Sequence, residues 1–266
     1  MTARFLHLSD LHMGHSEAWE PLEALRALVA DLEPELLVAT GDLAHRGRRT
    51  ELEVAANLLR GLELPLLVVP GNHDIPYTLP ARFTRTFDEW ERVFGETEPL
   101  HVSDHIVVVG LNSVRAWRQQ GGALDDDRLA LGMQRLQEGP SDALRVVALH
   151  HHLAAPPWRV ARKLPLSRRD DVLRALVAAG AELVIGGHVH QAGIAERREF
   201  KVLEEGPRRS LVLATSAALG RPRPERMEEA RGLNVYDADA ATISVRTFSW
   251  DGTGFLQVGE RQFLRR

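Results

Sequence analysis

Short apolar segments alternate along the first two thirds of the chain with segments whose apolar residues recur at helical spacing. The apolar segments lie at 5–8, 36–39, 66–69, 106–109, 146–149 and 183–185. Uninterrupted runs of this kind are typical of strands buried on both faces of a sheet. Capping boxes that begin at Thr50 and Ser167, with Gly61 and Gly180 further along, predict the boundaries of two intervening helices. The pattern therefore predicts a layered α/β fold.

The pattern changes after residue 192. Segments near 193–204, 210–215, 233–237, 242–249 and 254–263 are predicted to be consecutive strands joined by turns. Because no helical segment separates several of them, we expect these strands to pair antiparallel. We predict a single domain over 1–266, with a motif-bearing α/β part at 1–192 and a mostly β part at 193–266 that forms a second sheet.

The amino-acid composition limits the kinds of chemistry that the protein can perform. The 266 residues include 12 histidines and no cysteine, and the formal net charge is -4. The lack of cysteine excludes disulfides and thiolate chemistry, whereas histidines and carboxylates suit metal binding through nitrogen and oxygen. Mild acidity does not favour a non-specific nucleic-acid binder. No apolar run has transmembrane length and no signal peptide is recognisable, so we expect a cytoplasmic protein without membrane contact.

Polar side chains that bind metals follow five of the predicted strands. In chain order they are Asp10 and His12, Asp42, the run Asn72-His73-Asp74, the run His150-His151-His152, and His188 with His190. Ligands of α/β sheets bind outside the carboxyl ends of the strands, so we expect these residues to converge. Buried carboxylates that pack together are unfavourable without a cation. The pattern therefore predicts a metal site, with more than one ion.

The order of these blocks resembles the calcineurin-like metallophosphoesterase superfamily. Its pattern of Asp-x-His, Gly-Asp, Gly-Asn-His-Asp, a histidine after a strand and Gly-His-x-His is present from Asp10 to His190. The histidine cluster at 150–152 and the stretch 234–252 make the chain most similar to the class III cyclic-nucleotide phosphodiesterase branch. The resemblance implies a four-layer α/β/β/α metallophosphoesterase sandwich of two mixed sheets flanked by helices.

The resemblance also implies a centre of two divalent ions, manganese and/or iron, with zinc as an alternative. The implied ligands are Asp10, His12, Asp42 and His190 for one ion, and Asp42, Asn72, His151 and His188 for the other. Asp42 would bridge the ions. His151 is favoured in the fourth block because Leu153 stands where the family's His-His-Pro motif has its proline, and His150 is the alternative.

The implied function is hydrolysis of phosphodiesters, such as cyclic nucleotides or other small diesters, by a hydroxide that bridges the metals. His73 would protonate the leaving alkoxide or stabilise its charge. The alternatives are a DNA exonuclease or endonuclease of the repair type, a phosphomonoesterase and, more remotely, a non-catalytic interaction scaffold. The expected partner is a small phosphoester substrate, and the branch is compatible with a homodimer. His15, His45 and the loop at 156–159 are further candidates for substrate contact.

Overall fold

The computed structural model describes residues 2–14, 19–154, 163–197, 211–220 and 229–265. His15, the loop at 156–159 and the end of the predicted strand 193–204 lie outside the described residues. The elements, in chain order, are β1 (Ala3–Leu8), α1 (Leu22–Leu32), β2 (Leu36–Ala39), α2 (Arg49–Arg60), β3 (Leu66–Val68), α3 (Ala81–Thr84), α4 (Asp88–Phe94), β4 (Leu100–Val102), β5 (Ile106–Gly110), α5 (Asp126–Arg135), β6 (Leu144–Ala148), α6 (Arg169–Ala178), β7 (Leu183–Gly186), β8 (Gly193–Glu196), β9 (Val212–Thr215), β10 (Gly232–Ala238), β11 (Thr242–Trp250) and β12 (Phe255–Leu264).

The described strands form two sheets. The first has the order β12-β11-β10-β1-β2-β3 and the second the order β4-β5-β6-β7-β9-β8. The strands β1, β2 and β3 are parallel, as are β5, β6, β7 and β9. The remaining pairs are antiparallel: β10, β11 and β12 form the antiparallel half of the first sheet beside β1, and β4 and β8 are the antiparallel edge strands of the second. Both sheets are therefore mixed.

Three apolar layers hold the sheets and helices together. Phe5 and Ile185 belong to the layer between the two sheets. Leu52 of α2 belongs to the layer on the outer face of the first sheet, and Leu173 of α6 to that on the outer face of the second. Since the central strands are covered on both faces, their uninterrupted apolar runs are explained. The predicted α/β/β/α sandwich is confirmed.

The C-terminal strands correct one prediction. The residues after 192 do not form a second sheet of their own: β8 and β9 extend the second sheet, whereas β10, β11 and β12 extend the first. The reason is that β1 and β7 each have an open side, which β10 covers in antiparallel pairing and β9 in parallel pairing. The motif-bearing strands are also divided between both sheets, with β1, β2 and β3 in the first and β6 and β7 in the second.

Helix boundaries differ from the prediction by one or two residues. The helix α2 begins at Arg49, because the Glu51 carboxylate accepts hydrogen bonds from the main-chain N–H groups of Arg46 and Arg48, at 2.7 and 3.3 Å. The helix α6 begins at Arg169, two residues after the predicted cap. Within the part of the chain that the structure describes, no helix has the length and apolarity needed to cross a bilayer.

Candidate metal centre

The loops that follow β1, β2, β3, β6 and β7 meet on one side of the molecule and are joined by hydrogen bonds. The Asp10 N–H donates to the Gly41 carbonyl at 3.0 Å within the first sheet. Among the contacts that join the two sheets, the His188 N–H donates to Asp10 Oδ2 at 2.9 Å, and His150 Nδ1–H donates to the Thr40 carbonyl at 2.7 Å. The crevice therefore lies between the carboxyl ends of strands from both sheets.

Five of the predicted ligands have a left-handed backbone conformation. Their φ angles lie between 47° and 70°, and the residues are Asp10, His12, Asp42, His188 and His190. This conformation is uncommon for residues other than glycine, and such strain gathers at functional sites. It turns the chain sharply after each strand, so that the side chains stay in the crevice.

Two glycines let the loops approach the carboxylates closely. A Cβ atom on Gly187 would lie 1.8 Å from Ser9 Oγ and 2.5 Å from Asp10 Oδ2. A Cβ atom on Gly71 would lie 2.3 Å from Asp42 Oδ1. Only glycine fits at these approaches, which explains why glycine precedes two of the ligand blocks.

One group of side chains gathers around Asp10. One donor atom each of Asp10, His12, Asp42 and His190 lies within 4.8 Å of the others. His190 Nε2 is 3.2 Å from Asp10 Oδ1 and 3.2 Å from His12 Nε2. The structure thus brings together all four residues predicted for the first ion.

A second group shares Asp42 with the first. Donor atoms of Asp42, His150 and His188 converge. His150 Nε2 lies 3.4 Å from Asp42 Oδ1 and 3.2 Å from His188 Nδ1. Asn72 Oδ1 is also 3.2 Å from His150 Nε2. Since Asp42 Oδ2 faces His12 at 3.9 Å, the two oxygens of this carboxylate point to different groups.

The geometry does not place His151 with these donors, although it was predicted as the ligand after β6. Its Nδ1 lies 2.8 Å from Ser113 Oγ, and its ring packs on Gly122, where a Cβ atom would be 2.5 Å from it. His150 occupies the position instead, because Thr40 holds its Nδ1–H and turns Nε2 toward Asp42. His150, which directly follows Leu149, is therefore the histidine of this block whose side chain faces Asp42 in the crevice.

The donor set fits divalent cations. Asp10 and Asp42 are fully buried, and Asp10 Oδ1 and Asp42 Oδ2 have no hydrogen-bond partner. Burial opposes the ionised form of both, but His190 beside Asp10 and His150 beside Asp42 outweigh it and hold both pKa values below their usual range. Two ionised carboxylates in a buried site require compensating positive charge.

Most of the buried imidazoles are held neutral, which is the form that binds metals. Burial lowers the pKa of His12 to about 3 and that of His188 well below its usual value. Burial also acts to lower the pKa of His150, but the Asp42 carboxylate outweighs it and raises the pKa to about 9. A cation in the second group would therefore displace a proton from His150.

His73 lies beside the two groups without belonging to either. Its main-chain N–H donates to Asp42 Oδ1 at 2.8 Å, and its Nδ1–H donates to the His45 carbonyl at 2.9 Å. The ring centroid is 4.8 Å from that of His12. Tyr77, whose hydroxyl oxygen lies 2.7 Å from His73 Nδ1, was not predicted from the sequence. Tyr77 belongs to no recognisable motif, so its contact with His73 could not be predicted from the sequence.

An open cavity of about 650 Å³ lies over the centre. His73 and His190 form part of its wall, together with the cationic side chains of Arg46, Arg82 and Lys163. This volume is in the range of sites for small organic ligands. The arrangement offers room and positive charge for an anionic substrate of moderate size.

The chain is similar to known phosphoesterases in both sequence and fold. A family model for calcineurin-like phosphoesterases matches residues 3–192. A protein of Vesicomyosocius okutanii named probable cyclic nucleotide phosphodiesterase is 23% identical over 219 residues, which are 76% of this chain and 85% of the relative. A protein of Arcobacter nitrofigilis named probable glycerophosphodiester phosphodiesterase GpdQ is 30% identical over 131 residues, 48% of this chain and 44% of the relative. Purple acid phosphatase PPD1 from yellow lupin shares the fold, with a TM-score of 0.68, 13% identity, and coverage of 100% of this chain and 54% of the lupin chain.

Proposed function

Because the chain belongs to the calcineurin-like phosphoesterase family and is a metal-dependent phosphoester hydrolase, we propose that it hydrolyses small phosphodiesters, cyclic nucleotides among them. The observation that carries the proposal is the pair of ligand groups that share Asp42 beneath an open, cationic cavity. Relatives named for cyclic nucleotide and glycerophosphodiester hydrolysis support a diester as the substrate.

The proposed ligands follow the two groups of donors. Asp10, His12, Asp42 and His190 hold one ion, and Asp42, Asn72, His150 and His188 hold the other. When bound, two such ions neutralise the phosphate and lower the pKa of the attacking water. Mixed nitrogen and oxygen ligands suit manganese, iron or zinc.

The neighbouring residues His150 and His151 test this assignment as a matched pair. We expect His150→Ala to lose about one equivalent of metal and His151→Ala to keep two, because His150 Nε2 lies beside Asp42 and His188, whereas His151 Nδ1 is turned toward Ser113. Metal content of the purified variants, measured by mass spectrometry after loading with Mn²⁺, gives the answer. Loss of metal from His151→Ala alone would restore the assignment made from the sequence.

His73 is the proposed proton donor to the leaving alkoxide. It lines the cavity, and its ring is oriented by the His45 carbonyl, which accepts the hydrogen bond from Nδ1–H. Since Nδ1 is held in this way, Nε2 is the ring atom that we assign to the substrate. Such a positioned acid contributes roughly 10²- to 10⁴-fold to the rate of a reaction with a poor leaving group.

A panel of substrates tests the proposed function. Purified protein loaded with Mn²⁺ is compared on bis(p-nitrophenyl) phosphate, p-nitrophenyl phosphate, 3′,5′- and 2′,3′-cyclic AMP and single-stranded DNA, with Asp10→Asn as the inactive control. We expect the diesters and at least one cyclic nucleotide to be hydrolysed faster than the monoester. Hydrolysis of the monoester alone, or of DNA alone, contradicts the proposal.

A further inference from the structure

The guanidinium of Arg82 is buried in the wall of the cavity. The residue lies on α3 and is 8% exposed. Its Nε–H donates to the Ala116 carbonyl at 2.7 Å, Nη1–H to the Pro76 carbonyl at 3.2 Å and Nη2–H to the Arg118 carbonyl at 3.4 Å. Arg82 thereby joins the segment after His73 to the loop that carries residues 116–118. All three partners are neutral.

No carboxylate pairs with Arg82 among the residues that the structure describes. The contrast is Arg115, which is equally buried at 7% exposure and has Asp125 at 2.9 Å. A buried cation without a counter-charge is unfavourable, and it is retained where a ligand supplies the charge. A guanidinium has five N–H donors, so three carbonyl acceptors leave two donors for such a ligand.

The surroundings of Arg82 favour an anion as that ligand. Arg82 lines the same cavity as His73 and His190, and Lys163 on this wall is also 8% exposed. The described lining of the cavity contains no carboxylate side chain, since Asp10 and Asp42 are buried beneath it. The cavity of about 650 Å³ has room for a substrate that extends beyond its reacting phosphate.

We propose that Arg82 binds a second phosphate group, which the substrate carries on the part remote from the scissile bond. The proposal rests on the proposed phosphodiesterase function and names its substrate class: phosphodiesters with an additional phosphate on one of the esterified alcohols. A guanidinium is suited to this role because its fixed fork of donors matches phosphate oxygens.

Two matched substrates test the proposal on the metal-loaded enzyme. One is the 5′-(p-nitrophenyl) ester of thymidine 5′-phosphate, and the other is the same ester with a phosphate in place of the 3′-hydroxyl. We expect the KM of the wild-type enzyme to be about tenfold lower for the ester that carries the 3′-phosphate, which is the effect of one charge-assisted hydrogen bond. Arg82→Met is expected to bring the two KM values within about twofold.

Arg46→Gln is the matched control, because it removes the same charge from an exposed position in the same cavity. Arg46→Gln is expected to keep most of the KM preference for the ester with the additional phosphate. If both variants lose this preference equally, the cavity attracts the phosphate only through its general positive charge, and a site at Arg82 is refuted. Equal KM values in the wild type also overturn it and leave the proposed function standing. Turnover of neither ester contradicts the proposed function itself.

Since Arg82 also joins two segments, Arg82→Met is checked by circular dichroism and thermal unfolding. If it does not fold, Arg82→Lys replaces it. The ammonium has three donors and cannot reach three carbonyls and a phosphate together, so the preference is expected to fall by at least about threefold. An unchanged preference in the folded lysine variant contradicts the assignment.

Discussion

Replacement of Asp42 by alanine is expected to remove both metal ions and to lower phosphodiester turnover on the order of 10³-fold or more. The reason is that its two oxygens face different groups, Oδ2 toward His12 and Oδ1 toward His150. No other described carboxylate belongs to both groups. Metal content and kcat of the same preparation, measured after loading with Mn²⁺, check the result.

Asp74→Asn is the control for this variant. Asp74 is equally buried, and its carboxylate accepts hydrogen bonds from the main-chain N–H groups of Ala44 and Gly71 at 2.7 and 2.8 Å. It thus braces the same loops as Asp42 but belongs to neither group. We expect Asp74→Asn to keep two ions. Retention of two ions by Asp42→Ala would refute the bridging role.

Replacement of His73 by glutamine is expected to lower turnover of alkyl phosphodiesters by about 10²- to 10³-fold while the metal content stays near that of the wild type. The ring lies beside both groups but contributes no donor to either. Its main-chain N–H, which donates to Asp42 Oδ1, is retained in the glutamine variant. The measurements are metal content and kcat.

Substrates with different leaving groups distinguish whether His73 donates a proton or has only a structural role. A p-nitrophenolate departs without protonation, so His73→Gln is expected to lose much less activity on bis(p-nitrophenyl) phosphate than on an alkyl diester. His101→Gln, which changes a half-buried histidine of β4, serves as the control with normal activity. An equal loss on both substrates, or a loss of metal, speaks against the role.

The fold was predictable where burial determines the pattern. The apolar runs at 36–39 and 183–185 became β2 and most of β7, because strands covered on both faces leave no position for polar residues. The division of the C-terminal strands between the two sheets was not predictable. Alternation marks a strand, but it does not say which open sheet side the strand will pair with.

The convergence of the candidate ligands was predictable from the sequence, but the choice of histidine after β6 was not. Asp10, Asp42 and His188 follow strands in recognisable blocks, and the structure brings them to one crevice. The choice between His150 and His151 could not be made from the sequence, because it depends on which imidazole the Thr40 carbonyl orients, and the structure favours His150. Thr40 directly follows β2 of the first sheet, whereas the three histidines follow β6 of the second. Because the two segments are distant in the chain, the sequence does not distinguish the three adjacent histidines.

The sequence by itself determined the layered architecture, the family resemblance and the chemical type of the centre, since these follow from burial and from local blocks of ligands. The tertiary structure alone decided which histidine after β6 faces Asp42, the contact of Tyr77 with His73, and the position of Arg82 in the cavity wall. The first and the last depend on groups from distant segments, such as the Thr40 carbonyl that orients His150 and the carbonyls of residues 116 and 118 that hold Arg82. These long-range contacts are made only when the two sheets pack together, so no local pattern in the sequence encodes them.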